Sequence, residues 1–277
     1  KGGRLFRDWF DLRFCQRHVM MSSMSLGERV LTLTGRMSIF RANLATDGGF
    51  VDLVRNDFID HWRLGRVHFL TGDDKSTWYW LLQRGYKMLY LPDLCTVSIE
   101  TQPNSGFMDS ATVLMTRWFG NMLRTNARAL ALPASQIGYF TWWSILDQAI
   151  SIWTTLAGPA SILLATFFVS PWILPLYFAW VMFTRYCMCT IIMAFRKRSF
   201  PVTFPFLLYF SQVGGAVIKS FILFRLDRQR WTRQSSAKTG SFSLPLGQRL
   251  RAHSSTYMHG LALGWLILGV AYVGNLI

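Results

Sequence analysis

Residues 148–184 read QAISIWTTLAGPASILLATFFVSPWILPLYFAWVMFT, without one charged side chain. A bilayer span takes about 20 apolar residues, so this run is too long for one span and suits two. Ser170-Pro171 divides it, proline being a strong local break. One span is expected near 148–169 and another near 172–195, the latter closed by Arg196-Lys197-Arg198. A further span is expected at 257–277. The stretch 199–224 is apolar but holds Pro201, Pro205, Ser211, Gln212, Gly214, Gly215 and Lys219, poor content for a simple span.

Basic loops set the orientation. The loop 225–256 carries Arg225, Arg228, Arg230, Arg233, Lys238, Arg249 and Arg251 against one acid, Asp227. Cytoplasmic loops are rich in Lys and Arg, so this loop and the 196–198 cluster both belong inside. Residues 199–224 are then expected to form an interfacial or re-entrant helix, the alternative being a true span with the basic loop outside. Arg185 falls near the middle of the second span, where an ionisable group marks a functional candidate. It either contacts an anionic polymer in a channel or pairs with a neighbouring helix.

The charge of the whole chain agrees. It has 277 residues, a net charge of +15 and only 16% charged residues, against about 25% in soluble domains. Residues 1–135 hold 17 Lys/Arg and 12 Asp/Glu, a net of +5; residues 136–277 hold 12 and 2, a net of +10. The first part reads as a charged globular domain and the second as membrane helices joined by basic loops. With 12 Trp and 22 Phe the chain is no disordered basic tail, and no nucleic-acid partner is expected. Cys15, Cys95, Cys187 and Cys189 have no disulfide or zinc spacing. The chain opens at Lys1 inside a charged segment, and the reading is of the C-terminal portion of a longer protein.

Within 1–135 the pattern is α/β. Residues 30–34 read as a buried strand before Gly35, 48–62 as a helix, 67–70 as a short strand, 75–84 as a helix and 87–91 as a strand; 94–99 alternate. Between strand 67–70 and its helix lies Thr71-Gly72-Asp73-Asp74. Acids at a strand end serve as a solvated helix cap or as a catalytic base positioned to take a proton from a substrate hydroxyl. A helix over 107–128 puts Arg117, Asn121, Arg124 and Arg128 on one face and Met115, Trp118, Phe119, Met122 and Leu123 on the other. The bland reading is a membrane-surface helix; the sharper one sets an arginine fork on the diphosphate of a nucleotide sugar.

Gly72-Asp73-Asp74, a helix, Arg84-Gly85-Tyr86, then Arg117-Trp118 and membrane spans resemble the processive family 2 glycosyltransferases, which include cellulose, hyaluronan, chitin and alginate synthases. The family's catalytic base falls on Asp74, with Asp73 beside it. Its Gln-x-x-Arg-Trp motif falls on 114–118, with Leu114 in place of the Gln. Its glycine near the acceptor sugar falls on Gly35, followed by Phe40-Arg41. Its gating motif resembles Trp231-Thr232-Arg233. Segments 16–24, 70–80, 117–125 and 224–234 are closest to the alginate-polymerising members.

The resemblance implies a GT-A-type glycosyltransferase domain, of which 1–106 are the C-terminal part, an amphipathic interfacial helix region at 107–135, and a transmembrane region at 136–277. It implies inverting transfer from GDP-mannuronate to a growing polymannuronate chain at the inner (cytoplasmic) membrane, the catalytic domain being cytoplasmic. It also implies a divalent cation (Mg2+ or Mn2+) held by upstream residues, since 1–277 contain no Asp-x-Asp, and a cyclic-di-GMP-responsive co-polymerase with periplasmic export proteins. Arg117, Trp118, Gly35, Arg41, Trp231 and Arg233 are then substrate-binding residues. Competing readings are another exopolysaccharide synthase and a non-catalytic membrane transporter.

Overall fold

The fold comes from a computed structural model and describes residues 2–33, 37–68, 73–94, 96–97, 99–228 and 246–275. In chain order it has α1 (Arg4–Ser25), α2 (Ala42–Ala45), α3 (Gly48–Asn56), β1 (Phe58–His61), β2 (Gly65–His68), α4 (Asp73–Gln83), α5 (Phe107–Leu130), α6 (Ala134–Ile137), α7 (Tyr139–Phe168), α8 (Ile173–Arg196), α9 (Thr203–Leu223), a 3-10 turn (Leu226–Arg228) and α10 (Leu246–Val273). Helices α5 and α9 form the centre. Helices α1, α7 and α8 pack on α9, α10 packs on α7, and α4 lies between α3 and α5.

The apolar spacing of α1 explains its place. Phe6, Trp9, Phe10 and Leu12 are buried with Met115 of α5 and Phe204, Leu207 and Leu208 of α9. Trp9 also donates from Nε1 to Ser211 Oγ at 2.8 Å. At 30 residues α7 is about 45 Å long, more than the hydrocarbon core of a bilayer. Its first turns carry exposed Tyr139, Phe140 and Trp143, the amphipathic aromatics that favour a membrane surface. Helix α8 ends where Lys197 turns left-handed at φ 49°.

Helices α7, α8, α9 and the Arg249–Val273 part of α10 are each long and apolar enough to cross a membrane. The spans expected near 148–169, 172–195 and 257–277 overlap α7, which ends at Phe168, α8, which begins at Ile173, and α10, which ends at Val273. Residues 199–224 are mostly α9, one unbroken helix over Thr203–Leu223. Each suspected breaker has a role. Pro201 precedes the helix and Pro205 sits in its first turn, where no intrahelical N–H is needed. Gly214 and Gly215 face Phe210 and Phe119. Ser211 accepts from Trp9, and Gln212 Oε1 accepts from Arg185 Nε at 2.6 Å.

The strand expectations are corrected. The described sheet is one antiparallel hairpin, β1 with β2, pairing Phe58 with His68 and His61 with Gly65. The helix expected over 48–62 stops at Asn56, because Asp57 leaves it for a buried ion pair and β1 begins. Residues 30–33 form no strand: the Val30 carbonyl accepts from Trp78 Nε1 at 2.5 Å and that of Leu31 from Lys75 Nζ at 2.8 Å. Residues 87–91 likewise form no strand, with Met88 N–H donating to Glu28 O and Tyr90 N–H to Ser25 Oγ. Side chains and loop carbonyls have replaced ladder partners. Among the described residues of 94–99 there is no strand.

A Cβ on Gly215 would stand 3.2 Å from Phe119 Cε2. Gly215→Leu therefore overpacks the α5–α9 contact, at a cost of about 1–3 kcal/mol. Its thermal midpoint in detergent should fall well below that of Gly214→Ala, whose new methyl meets only ordinary contact with Phe210 at 3.4 Å.

Candidate active site

Asp73 is the first residue of α4 and Asp74 the second. The amino end of a helix favours negative charge. Asp74 is half-buried, and its Oδ1 accepts the Lys75 N–H at 3.0 Å. The next turn is anchored on both sides. Lys75 is buried; its ammonium donates to the Leu31 carbonyl and lies 4.5 Å from the Trp78 ring centroid. Burial, aided by Arg17 and opposed by Asp74, pushes Lys75 down to about 7.

Ser76 donates its hydroxyl to Asp57 Oδ2. The same carboxylate accepts two bonds from Arg128 of α5, NH1 to Oδ1 at 2.6 Å and NH2 to Oδ2 at 3.1 Å. The Asp57 side chain is 2% exposed and that of Arg128 18%. Arg128 also lies 4.4 Å from the Tyr79 ring centroid. A bidentate buried pair thus fixes the start of α4 against α5. At the other end of α4, Gly85 takes φ +70°, which suits glycine, and Tyr86 N–H reaches back to Leu81 O. Tyr86 stacks on Trp80 at 5.6 Å, with the Arg84 guanidinium 4.1 Å from the Trp80 centroid.

The arginine face of α5 points into the molecule, which corrects the picture of a lipid-surface ridge. Arg124 is 2% exposed and bonds the Gly120 carbonyl and Asn121 Oδ1. Burial lowers it to about 10, with Asp57 opposing. It stays charged at neutral pH. Arg117 is half-buried on the same helix. Trp118 stacks with Trp9 at 5.8 Å, meets Phe10 edge-on at 5.8 Å, and has the Arg13 guanidinium 4.6 Å from its centroid. Leu114, at the family's Gln position, is buried in the apolar core.

Arg41 is described and exposed, at the start of α2. Gly35, Trp231 and Arg233 lie outside the described residues. Arg185 joins α8 to α9 through Gln212 and also donates to Thr184 Oγ1 at 3.3 Å, the helix-pairing alternative. The divalent cation that the resemblance implies finds no ligand set here: among the described residues no three His, Cys, Asp or Glu side chains converge on a metal position. Sequence reasoning missed Asp57, Lys75 and Arg13. Asp57 gains meaning only through Arg128, 71 residues away. Arg13 had a local signal, its four-residue spacing from Trp9 and Arg17.

Residues 1–121 match the family described as glycosyltransferase like family 2. The chain is 42% identical over 236 residues to glycosyltransferase alg8 of Pseudomonas syringae pv. tomato, covering 85% of this chain and 48% of that protein. It is 45% identical over 226 residues to glycosyltransferase alg8 of Azotobacter vinelandii, covering 82% and 46%. The chain thus spans about half the length of these curated relatives. No solved structure matches it significantly. The family match contains Asp74, Arg117 and Trp118 and ends within α5.

Two measurements probe this site. Asp57→Ala strands a mostly buried guanidinium and should cost about 3 kcal/mol of stability, whereas adding Arg128→Met should recover part of the loss, read as thermal midpoints in detergent. Lys75 binds its proton less readily when folded, about 7 against 10.5. The unfolded chain therefore holds more protons between these values, so stability rises with pH across that window. Lys75→Met should flatten the rise, and an unchanged slope would show that Lys75 does not titrate there.

Proposed function

We propose that the full-length protein is an inverting, processive glycosyltransferase, a reading supported by the match of residues 1–121 to the glycosyltransferase like family 2 and by the similarity of most of the chain to alg8 glycosyltransferases. It polymerises mannuronate from GDP-mannuronate into the polymannuronate of alginate at the inner membrane. The observation that carries this is the joint between α4 and α5. The first turn of α4, which bears Asp74, is tied through Ser76, Asp57 and Arg128 to the helix bearing Arg117-Trp118, and that helix packs directly on the apolar helices α7 and α9.

In the reaction Asp74 takes the proton of the 4-hydroxyl on the chain's terminal sugar. That oxygen forms a bond to the anomeric carbon of the donor. The bond from the anomeric carbon to the diphosphate oxygen breaks on the opposite face, and GDP leaves with the electron pair. Arg117 offsets the charge developing on the diphosphate. Lys75 keeps the first turn of α4 in place by holding the 30–31 segment. Trp118, packed on Trp9 of α1, is assigned to the acceptor sugar, and Trp231 and Arg233 are assigned to the nucleotide by the family resemblance.

The packing of α9 supports an interfacial position for it. Thr203 at its start donates to Asp8 Oδ2 at 2.9 Å, and the carbonyl of Phe224 just past its end accepts from Arg63 NH2 at 2.7 Å. Both ends therefore meet the charged domain. A third of its apolar stretch is buried in protein, 33% against 6–17% in the other three candidate spans. With α9 on the cytoplasmic face, the basic clusters 196–198 and 225–228 share one side, as the positive-inside rule asks. Export through α7, α8 and α10, and a membrane co-polymerase with periplasmic export proteins, complete the proposal.

Membranes carrying the full-length protein should make polymer from GDP-mannuronate and not from UDP-glucose or from UDP-glucuronate with UDP-N-acetylglucosamine. Asp74→Asn should keep GDP binding yet lower elongation by about a hundredfold or more. Near-normal elongation by that variant would sink the base assignment.

A further inference from the structure

Trp9, Arg13 and Arg17 recur every fourth residue on one face of α1. The Arg13 guanidinium lies 4.6 Å from the centroid of Trp118, 5.4 Å from that of Trp9 and 6.0 Å from that of Phe119. From α9, Lys219 Nζ comes within 4.9 Å of the same Phe119 ring. Two cations from two helices thus share one aromatic ring on a third. Neither has a hydrogen bond or an ion pair with a described residue. Asp147 of α7 acts on Lys219 without reaching ion-pair distance.

A guanidinium offers five N–H donors and an ammonium three. Aromatic faces offset part of the cost of drawing them out of water, but they leave those donors unused. Like charge gathers instead. Arg17 acts on Arg13, and burial together with Arg17 holds Arg13 down to about 10, so it keeps its charge at neutral pH. Arg17 in turn acts on Lys75, the neighbour of Asp74. Arg13 of α1 and Lys219 of α9 therefore bring two cations together at Phe119 of α5.

We propose that Arg13 of α1 and Lys219 of α9 form a cationic track that binds the carboxylates of an acidic polysaccharide as the growing chain passes α9. This rests on the glycosyltransferase reading above and adds the contact that selects a uronate chain. A neutral glucan has nothing to offer these donors. A lipid phosphate or the donor diphosphate shares the anionic chemistry, and the test separates them.

The full-length protein in nanodiscs of neutral lipid is titrated with a labelled mannuronate hexamer, a neutral cello-oligosaccharide and GDP, and polymer length is read from the same preparations. Arg13→Gln and Lys219→Gln should each weaken hexamer binding by about tenfold and shorten the polymer. GDP binding and the thermal midpoint should stay near wild type. Arg13→Lys should recover much of the hexamer binding, which a purely packing role for the guanidinium would not allow. Wild-type hexamer affinity and polymer length in a folded double variant overturn the track alone. So does a loss confined to GDP binding, or hexamer binding that appears only with anionic lipid. A wild-type protein that polymerises only a neutral sugar overturns the track together with the donor assignment.

Discussion

Helix α9 is tied to the charged domain at both ends, by Asp8 at its start and by Arg63 just past its end. A helix of 21 residues is about 31 Å long, close to the hydrocarbon thickness of a bilayer. Were it to cross, α1 and the β1–β2 hairpin would have to lie on opposite faces of the membrane. They are parts of one domain, joined through α5 and its neighbours. The proposed position along the membrane surface resolves this, and it would make α9 a floor. Trp9, Phe204, Leu207 and Leu208 fill one half of that floor. Leu123, Ile152, Ile222 and Leu226 fill the other. Helix α5 then rests on α9 along its length, and whatever α5 carries is held at a fixed height over the membrane helices.

That height reaches the proposed base through one buried carboxylate. Asp57 holds Ser76 and Arg128 together, so the start of α4 follows α5. A buried ion pair adds little stability over an apolar substitute, because desolvation offsets the attraction. Its use here is positional. An apolar contact between α4 and α5 tolerates sliding, whereas two nearly parallel N–H···O bonds to one carboxylate admit one register. Arg63 does the same for the hairpin, bonding Ser254, Ser255 and the Phe224 carbonyl. The β1–β2 hairpin is thereby linked with the end of α9 and with α10.

What the sequence made legible follows from range. The uncharged run 148–184, its division at Ser170-Pro171, the span of α5 and the acidic start of α4 are local patterns, and the structure keeps them. The apolar stretches 30–34 and 87–91 look like strands because β-type composition reports a half-buried extended chain, not a ladder partner. Among their described residues neither forms a strand, and Trp78, Lys75 and Ser25 take backbone groups that a neighbouring strand would. The spacing of Arg117, Arg124 and Arg128 was also correct, and their common face was found. Its direction could not be, since only Asp57 and α4, brought from far along the chain, make that face an interior one. Helix α9 shows the converse. Its Pro, Gly and Ser residues looked like interruptions, and each proves to sit at a contact point or in the first turn.

The pair Arg13 and Lys219 gives part of the chain's net positive charge a physical use. A processive enzyme must hold its product firmly enough to keep it and loosely enough to advance it by one sugar per cycle. A cation paired with a fixed carboxylate is spent, and a bare cation in a dry site would trap a polyanion. Arg13 and Lys219 stand between these limits. Each leans on aromatic rings that take up part of its field, and each keeps donors for a passing carboxylate. Several such contacts of modest strength, engaged together and released one at a time, retain a chain by multivalency without any tight site. The same arrangement does nothing for a neutral polymer. On this reading, selection for an acidic sugar lies partly with α1 and α9, on the product side of the reaction, and not with the donor pocket alone.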